Sequence, residues 1–173
     1  ITPKPLVAVG DRPILWHIMK IYSFYGINDF ILCAGYKSYM IKEYFLNYFY
    51  HSSDCTFHTS TGQVKIHSTN AEDWRVTVTD TGINTMTGGR LKKISKYLDD
   101  DEPFCMTYGD GVADVNINEV IDSHVNSKKK ATVCAVRPPA RFGSLNVINK
   151  NVVGFSEKPS ADQGWINGGF FVL

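Results

Sequence analysis

Apolar residues recur along the chain in two rhythms, and the switching between them sets the predicted order of elements. Leu6 to Val9 is a short extended piece, and Gly10-Asp11-Arg12 turns into a helix with Pro13 in its first turn. Ile14, Ile18, Ile21 and Tyr25 then fall at three- and four-residue spacing, with Leu15, Met19 and Tyr22 beside them, until Gly26 ends the helix. Phe30 to Ala34 is a compact apolar strand. Gly35-Tyr36-Lys37 leads through Ser38, the expected N-cap, into a second helix ending near Tyr50. Strand, helix, strand, helix is the order of a parallel sheet. The middle of the chain departs from it: Cys55 to Thr59, Val64 to His67 and Arg75 to Thr79 alternate apolar and polar residues, which predicts a short antiparallel insert or edge strands.

Asp80-Thr81-Gly82 breaks the alternation, and Thr87-Gly88-Gly89-Arg90 opens a helix carrying Leu91, Ile94 and Leu98 on one face. The acidic run Asp99-Asp100-Asp101-Glu102 reads as a solvated connection, since unpaired charges stay in water. Phe104 to Tyr108 has the look of a buried strand in the middle of a parallel sheet. After it come a helix over Val115 to Lys128, a strand over Ala131 to Val136, a strand pair (Leu145 to Ile148, Val152 to Phe155) around Asn149-Lys150-Asn151, and a last Gly-Gly-bearing strand over Trp165 to Leu173. With no internal repeat, low-complexity segment or linker, one domain over residues 1–173 is the economical reading.

Composition narrows the function classes. The chain has 173 residues, 43% apolar and 20% charged, in the range of a folded soluble protein with an adequate core. Its net charge of +1 gives no electrostatic case for nucleic acid or a membrane surface. No apolar run approaches the length of a transmembrane helix, the first residues do not read as a signal peptide, and a cytoplasmic location is the default expectation. Cys33, Cys55, Cys105 and Cys134 contain no C-x-x-C pair, so they are expected to be buried thiols, with neither zinc nor disulfides. His17, His51, His58, His67 and His124 share no metal-ligand spacing. The aromatic run Tyr36, Tyr39, Tyr44, Phe45, Tyr48, Phe49 and Tyr50 is expected to be a packed helix face or part of a subunit contact.

Candidate chemistry centres on Asp110. It follows the strand of Phe104 to Tyr108, and glycine on either side removes two side chains at the end of the strand where open α/β sheets bind ligands. A lone carboxylate there suits Mg2+, which takes one or two carboxylates plus phosphate oxygens and water; Gly109-Asp110-Gly111 alone also fits an ordinary turn. Four other features are unusual for a purely structural domain. Lys4 is stiffened by Pro3 and Pro5. Thr87-Gly88-Gly89-Arg90 offers free N–H groups at a helix start with a guanidinium one turn in. Glu157-Lys158-Pro159 braces a second lysine, and Asn167-Gly168-Gly169 places an amide and two glycines in an apolar strand. Singly each has a bland reading as turn, cap or bulge; together they form an inventory for handling phosphates.

These motifs, in this order, carry a resemblance. Pro3-Lys4-Pro5-Leu6-Val7, Pro13-Ile14-Leu15-Trp16-His17-Ile18-Met19-Lys20, Thr87-Gly88-Gly89-Arg90-Leu91, Tyr108-Gly109-Asp110-Gly111-Val112, Phe155-Ser156-Glu157-Lys158-Pro159 and Gly164-Trp165-Ile166-Asn167-Gly168-Gly169-Phe170 resemble the sugar-1-phosphate nucleotidylyltransferases across nearly the whole chain. Trp16-His17, Thr85-Met86-Thr87-Gly88-Gly89-Arg90 and Gly164-Trp165-Ile166-Asn167 look closest to the cytidylyl branch that uses glucose 1-phosphate. The resemblance implies a Rossmann-like α/β/α sandwich with a mixed, mainly parallel central sheet and a small antiparallel insert. It implies CTP and glucose 1-phosphate as substrates and Mg2+ as cofactor. Asp110 would hold the metal and Lys4 the nucleotide phosphates, while Thr85, Arg90 and Gly109 would contact base or ribose. Glu157, Lys158, Asn167 and Gly168 would hold the sugar phosphate, with Lys158 on its phosphate. Family relatives assemble, so a homo-oligomer is part of the expectation.

The sequence departs from the family pattern at both ends. The Gly-rich phosphate loop that precedes the Pro-Lys-Pro segment in the family is absent, as is a second metal-binding Asp in the part that follows Leu173. Both ends therefore read as cut, and this chain as given is expected to bind CTP and Mg2+ weakly and turn over little. Two alternatives stand beside the cytidylyl reading: an inactive relic acting as a structural or assembly module, and uridylyl or thymidylyl specificity.

Overall fold

The computed structural model describes residues 2–99, 102–137, 144–156 and 164–173. The chain packs as two compact units: Ile1–Glu102 with Gly109–Asp114, and Pro103–Tyr108 with Val115–Leu173.

The first unit opens with a turn of 3-10 helix over Lys4–Leu6 and a minimal antiparallel pair, β1 (Ala8–Val9) and β2 (Arg12–Pro13). Helix α1 (Ile14–Phe24) follows, with Pro13 at its N-cap instead of inside the first turn. Strand β3 (Asp29–Ala34) runs parallel to β6 (Arg75–Asp80), in register from Asp29 opposite Arg75 to Ala34 opposite Asp80. Leu15 and Met19 of α1 and Ile41 of α2 (Ser38–His51) form a buried cluster with Ala34, and Phe30, Leu32, Val76 and Val78 of the two strands pack against it. The alternate residues of each strand that point to one face thus meet the apolar stripes of two helices, as a parallel βαβ crossover requires.

One expectation is corrected here and two are narrowed. Ser38 is the first helical residue and not the cap; Lys37 takes that position at φ 50°, and the Ser38 hydroxyl donates to Asp80 instead. Of the three alternating segments, only β4 (Ser53–His58) and β5 (Gln63–Thr69) form the antiparallel insert; the third, β6, joins β3. Period-2 alternation marks a strand with unlike faces and is silent about the direction of its partner. The α2 aromatics split into two sets. Tyr44, Phe45 and Tyr48 pack inward, with Tyr48 stacked on Trp74 and accepting from Trp16 Nε1 at 2.9 Å, while Tyr39, Phe49 and Tyr50 are exposed. The unit ends with α3 (Thr87–Ile94), which places Ile94 in the core; a 3-10 turn to Tyr97 leaves Leu98 outside the helix.

In the second unit, β7 (Cys105–Thr107) precedes α4 (Ile117–Ser127), whose N-cap Asn116 accepts from Glu119 N while donating to the Glu119 carboxylate. β8 (Thr132–Val136) and β7 flank β11 (Ile166–Val172), both antiparallel to it. So β7, expected as a buried strand inside a parallel sheet, is half-buried and pairs antiparallel to the chain's last strand. A short apolar run has no feature that separates these two environments. β9 (Ser144–Ile148) and β10 (Asn151–Ser156) form a hairpin whose turn residues Asn149 and Lys150 both have positive φ, the geometry of a type I′ turn. The four cysteines are free and half-buried; burial pushes the Cys105 thiol up to about 11. Among the described residues, no helix is long and apolar enough to cross a membrane.

Candidate active site

The loop leaving β6 is held by side chains from α3. Thr81 is fully buried, and both its N–H and its hydroxyl donate to the Ala34 carbonyl at the end of β3, each at 2.8 Å. Arg90 Nη1 donates to Thr81 Oγ1 at 2.5 Å and to the Ala34 and Cys33 carbonyls at 3.1 and 3.4 Å. Lys93, on the same helix face, donates to the Thr81 carbonyl at 2.8 Å and to Thr85 Oγ1 at 3.2 Å. Asp80 accepts from Gly82 N and Ser38 Oγ; the backbone bond, then the hydroxyl, hold its carboxyl below the usual carboxylate range.

Glycines make room for this network. A Cβ on Gly35 would lie 2.9 Å from both terminal nitrogens of Arg90, so the guanidinium lies directly on the backbone there. A Cβ on Gly89 would lie 2.9 Å from Thr85 Cγ2. Thr85 and Arg90, both expected at the nucleotide, are thus joined through Thr81 and Lys93. Neither of those two was singled out from the sequence. The signal available for Lys93 was its three-residue spacing from Arg90. The N–H groups of the α3 first turn carry no acidic neighbour, leaving them open to an anion.

Asp110 lies in the same unit. Its Oδ2 is 3.5 Å from Lys4 Nζ, with the lysine side chain 83% and the carboxylate 45% exposed. The two residues are about one hundred positions apart in sequence and meet because Pro5 packs on Gly109, where a Cβ would come within 3.1 Å of the proline ring. On the other side, a Cβ on Gly111 would meet nothing. A half-exposed carboxylate with open space beside it fits a cation that draws its other ligands from phosphate and water. Among the described residues, no cluster of three or more potential protein ligands forms a closed metal cage.

In the second unit, Asn167 sits at a bulge in β11. Its Oδ1 accepts from Gly169 N at 2.8 Å and its Nδ2 donates to the Tyr108 hydroxyl at 3.1 Å. Gly169 takes φ +86°, and a Cβ on Gly168 would lie 3.0 Å from the Cys134 carbonyl, so neither position has room for a side chain without strain. Glu157 and Lys158 lie outside the described residues.

The nucleotidyl transferase family model matches residues 1–173. The chain belongs to this family. It is 56% identical over all its 173 residues to glucose-1-phosphate cytidylyltransferase of Salmonella typhimurium, and equally to that of Salmonella typhi, spanning 67% of each. The structure of HddC from Yersinia pseudotuberculosis, complexed with GMP-PN, superposes with a TM-score of 0.63 over 99% of this chain and 67% of that one, at 23% identity. The fold is therefore the mixed α/β, Rossmann-like fold of the nucleotidyl transferases.

Proposed function

We propose that the chain carries the catalytic machinery of a glucose-1-phosphate cytidylyltransferase, transferring a cytidylyl group from CTP to α-D-glucose 1-phosphate to give CDP-glucose and pyrophosphate. The observation that carries this reading is the 56% identity to the Salmonella enzymes over every residue of the chain. The pairing of Lys4 with Asp110 supports it, because it puts an exposed ammonium suited to phosphate oxygens beside a half-exposed carboxylate suited to a cation.

In the reaction, an oxygen of the sugar phosphate forms a bond to the α-phosphorus of CTP while the bond to the bridging oxygen of pyrophosphate breaks. No covalent enzyme intermediate is needed, so the protein's part is positioning and charge neutralisation. Lys4 would hold nucleotide phosphate as charge shifts onto the leaving pyrophosphate, and a flexible ammonium suits a group whose geometry changes during the step. Thr85, Arg90 and Gly109 would frame the nucleoside. Asn167, Gly168, Glu157 and Lys158 would hold the glucose phosphate. Asp110 would hold Mg2+, which when bound supplies charge neutralisation on the α-phosphate.

The test is pyrophosphate release with Mg2+, CTP and glucose 1-phosphate, beside Asp110→Ala and beside UTP and dTTP. Low release that requires CTP and disappears in Asp110→Ala is the expected result for these 173 residues, which span 67% of the Salmonella enzymes. Equal release with all three nucleotides would overturn the cytidylyl assignment.

A further inference from the structure

The hydrogen bonds around Asn167 leave the hydroxyl proton of Tyr108 uncommitted, and Tyr108 has no role in the function proposed above. Gly169 N–H can only donate, so it fixes Oδ1 of Asn167 as its acceptor. The amide's other atom facing Tyr108 is then Nδ2, which can only donate, and the phenol oxygen must accept. The hydroxyl proton of Tyr108 is therefore free to donate elsewhere. Tyr108 is 41% exposed, so the residue is open to a ligand.

The ring itself is fixed. It meets Phe171 edge-on, with centroids 5.9 Å apart at 84°, and lies against Gly169, where an added Cβ would come within 3.4 Å of it. Thr107, the preceding residue, donates to the Gly169 carbonyl at 2.8 Å and pins the bulge from the strand that carries Tyr108. A rigid phenol with its oxygen held by one donor and its proton free is a preorganised donor.

We propose that Tyr108 is a further sugar-phosphate-binding residue, its oxygen orienting the Asn167 amide and its hydroxyl proton donating to an oxygen of the bound sugar phosphate. This rests on Asn167 belonging to the acceptor site, as in the proposed function.

The variant Tyr108→Phe removes one oxygen and keeps the ring packing. Two readouts apply: the Asn167 side-chain amide resonances during titration with glucose 1-phosphate, and the KM for each substrate from pyrophosphate release. We expect the glucose 1-phosphate response to weaken about tenfold, as for loss of one or two neutral hydrogen bonds, with the KM for CTP within about twofold of wild type. The two Asn167 amide proton signals, well separated in wild type, draw together in the variant before any ligand is added. In combination with Asn167→Ala, the effects should be less than additive. A Tyr108→Phe protein that responds to glucose 1-phosphate as wild type does, or whose two KM values rise equally, overturns this inference alone. Wild-type protein whose Asn167 amide ignores glucose 1-phosphate overturns the acceptor assignment as well.

Discussion

Two charged clusters in the first unit are held in opposite ways. Arg90 and Lys93 are tied to carbonyls and hydroxyls of β3 and the Thr81–Thr85 loop, around a threonine with no exposed surface. Lys4 and Asp110 share one contact of 3.5 Å between largely solvated side chains. An exposed ion pair of this kind contributes at most about 1 kcal/mol to stability. The difference matches the roles proposed for them. A group proposed to exchange a carboxylate for phosphate oxygens cannot be tightly held in the free protein, whereas a loop proposed to frame a nucleoside is better fixed before it binds. Folding should thus depend on the Arg90 cluster and chemistry on the Lys4 pair.

The largest effect expected from this contrast is in Asp110→Ala: pyrophosphate release falls by about a hundredfold or more, while stability in urea stays within about 0.5 kcal/mol of wild type. A variant that unfolds early instead would erase the contrast. Arg90→Met should differ in reaching the fold as well, lowering stability by about 1–3 kcal/mol because the Ala34 and Cys33 carbonyls and the Thr81 hydroxyl lose a charged donor. Gly35→Ala should approach that loss by displacing the guanidinium, since its Cβ would need the space of two nitrogens. If Gly35→Ala is neutral, Arg90 has a second resting place and the loop is less constrained than its bonds imply.

What was legible in the sequence divides along similar lines. Period-3.6 stripes located α1, α2 and α4, and Asn149-Lys150 located the β9–β10 turn, because those signals are local. Asp110 and Lys4 were legible as chemical oddities between glycines and prolines. Their mutual contact was not, because it depends on Pro5 meeting Gly109 across about one hundred residues. The partner direction of β6 and β7 was not legible either, since alternation and apolar runs encode faces and not neighbours. Thr81, Lys93 and Tyr108 were given no site role because what marks each is a contact with a residue distant in space or sequence, and a threonine, lysine or tyrosine of that kind has no distinctive spacing.

A smaller effect sharpens the comparison inside the Arg90 cluster. Lys93→Met keeps the aliphatic stem and removes the donor to Thr81 O and Thr85 Oγ1. The KM for CTP should rise about three- to tenfold, the cost of freeing one hydroxyl and one carbonyl, with the KM for glucose 1-phosphate unchanged. Equal changes in both KM values would mean that Lys93 supports the fold at large and not the nucleotide loop.

The smallest effect belongs to Asp80, at the exposed edge of the same loop. Its pKa is lowered by the Gly82 N–H and then by the Ser38 hydroxyl, so its ionised form is favoured in the folded protein. A lowered folded-state value means that the stabilisation is fully present above the unfolded-state pKa of about 3.9 and is lost as pH falls through the lower folded value. Asp80→Asn keeps an acceptor for Gly82 but cannot ionise. Urea midpoints of wild type and Asp80→Asn should therefore differ by a constant amount from neutral pH down to about 4, and converge below it. A gap that stays constant into stronger acid would show that the loop uses the shape of residue 80 and not its charge, leaving Arg90 and Lys93 as the only charges that hold the loop among the described residues.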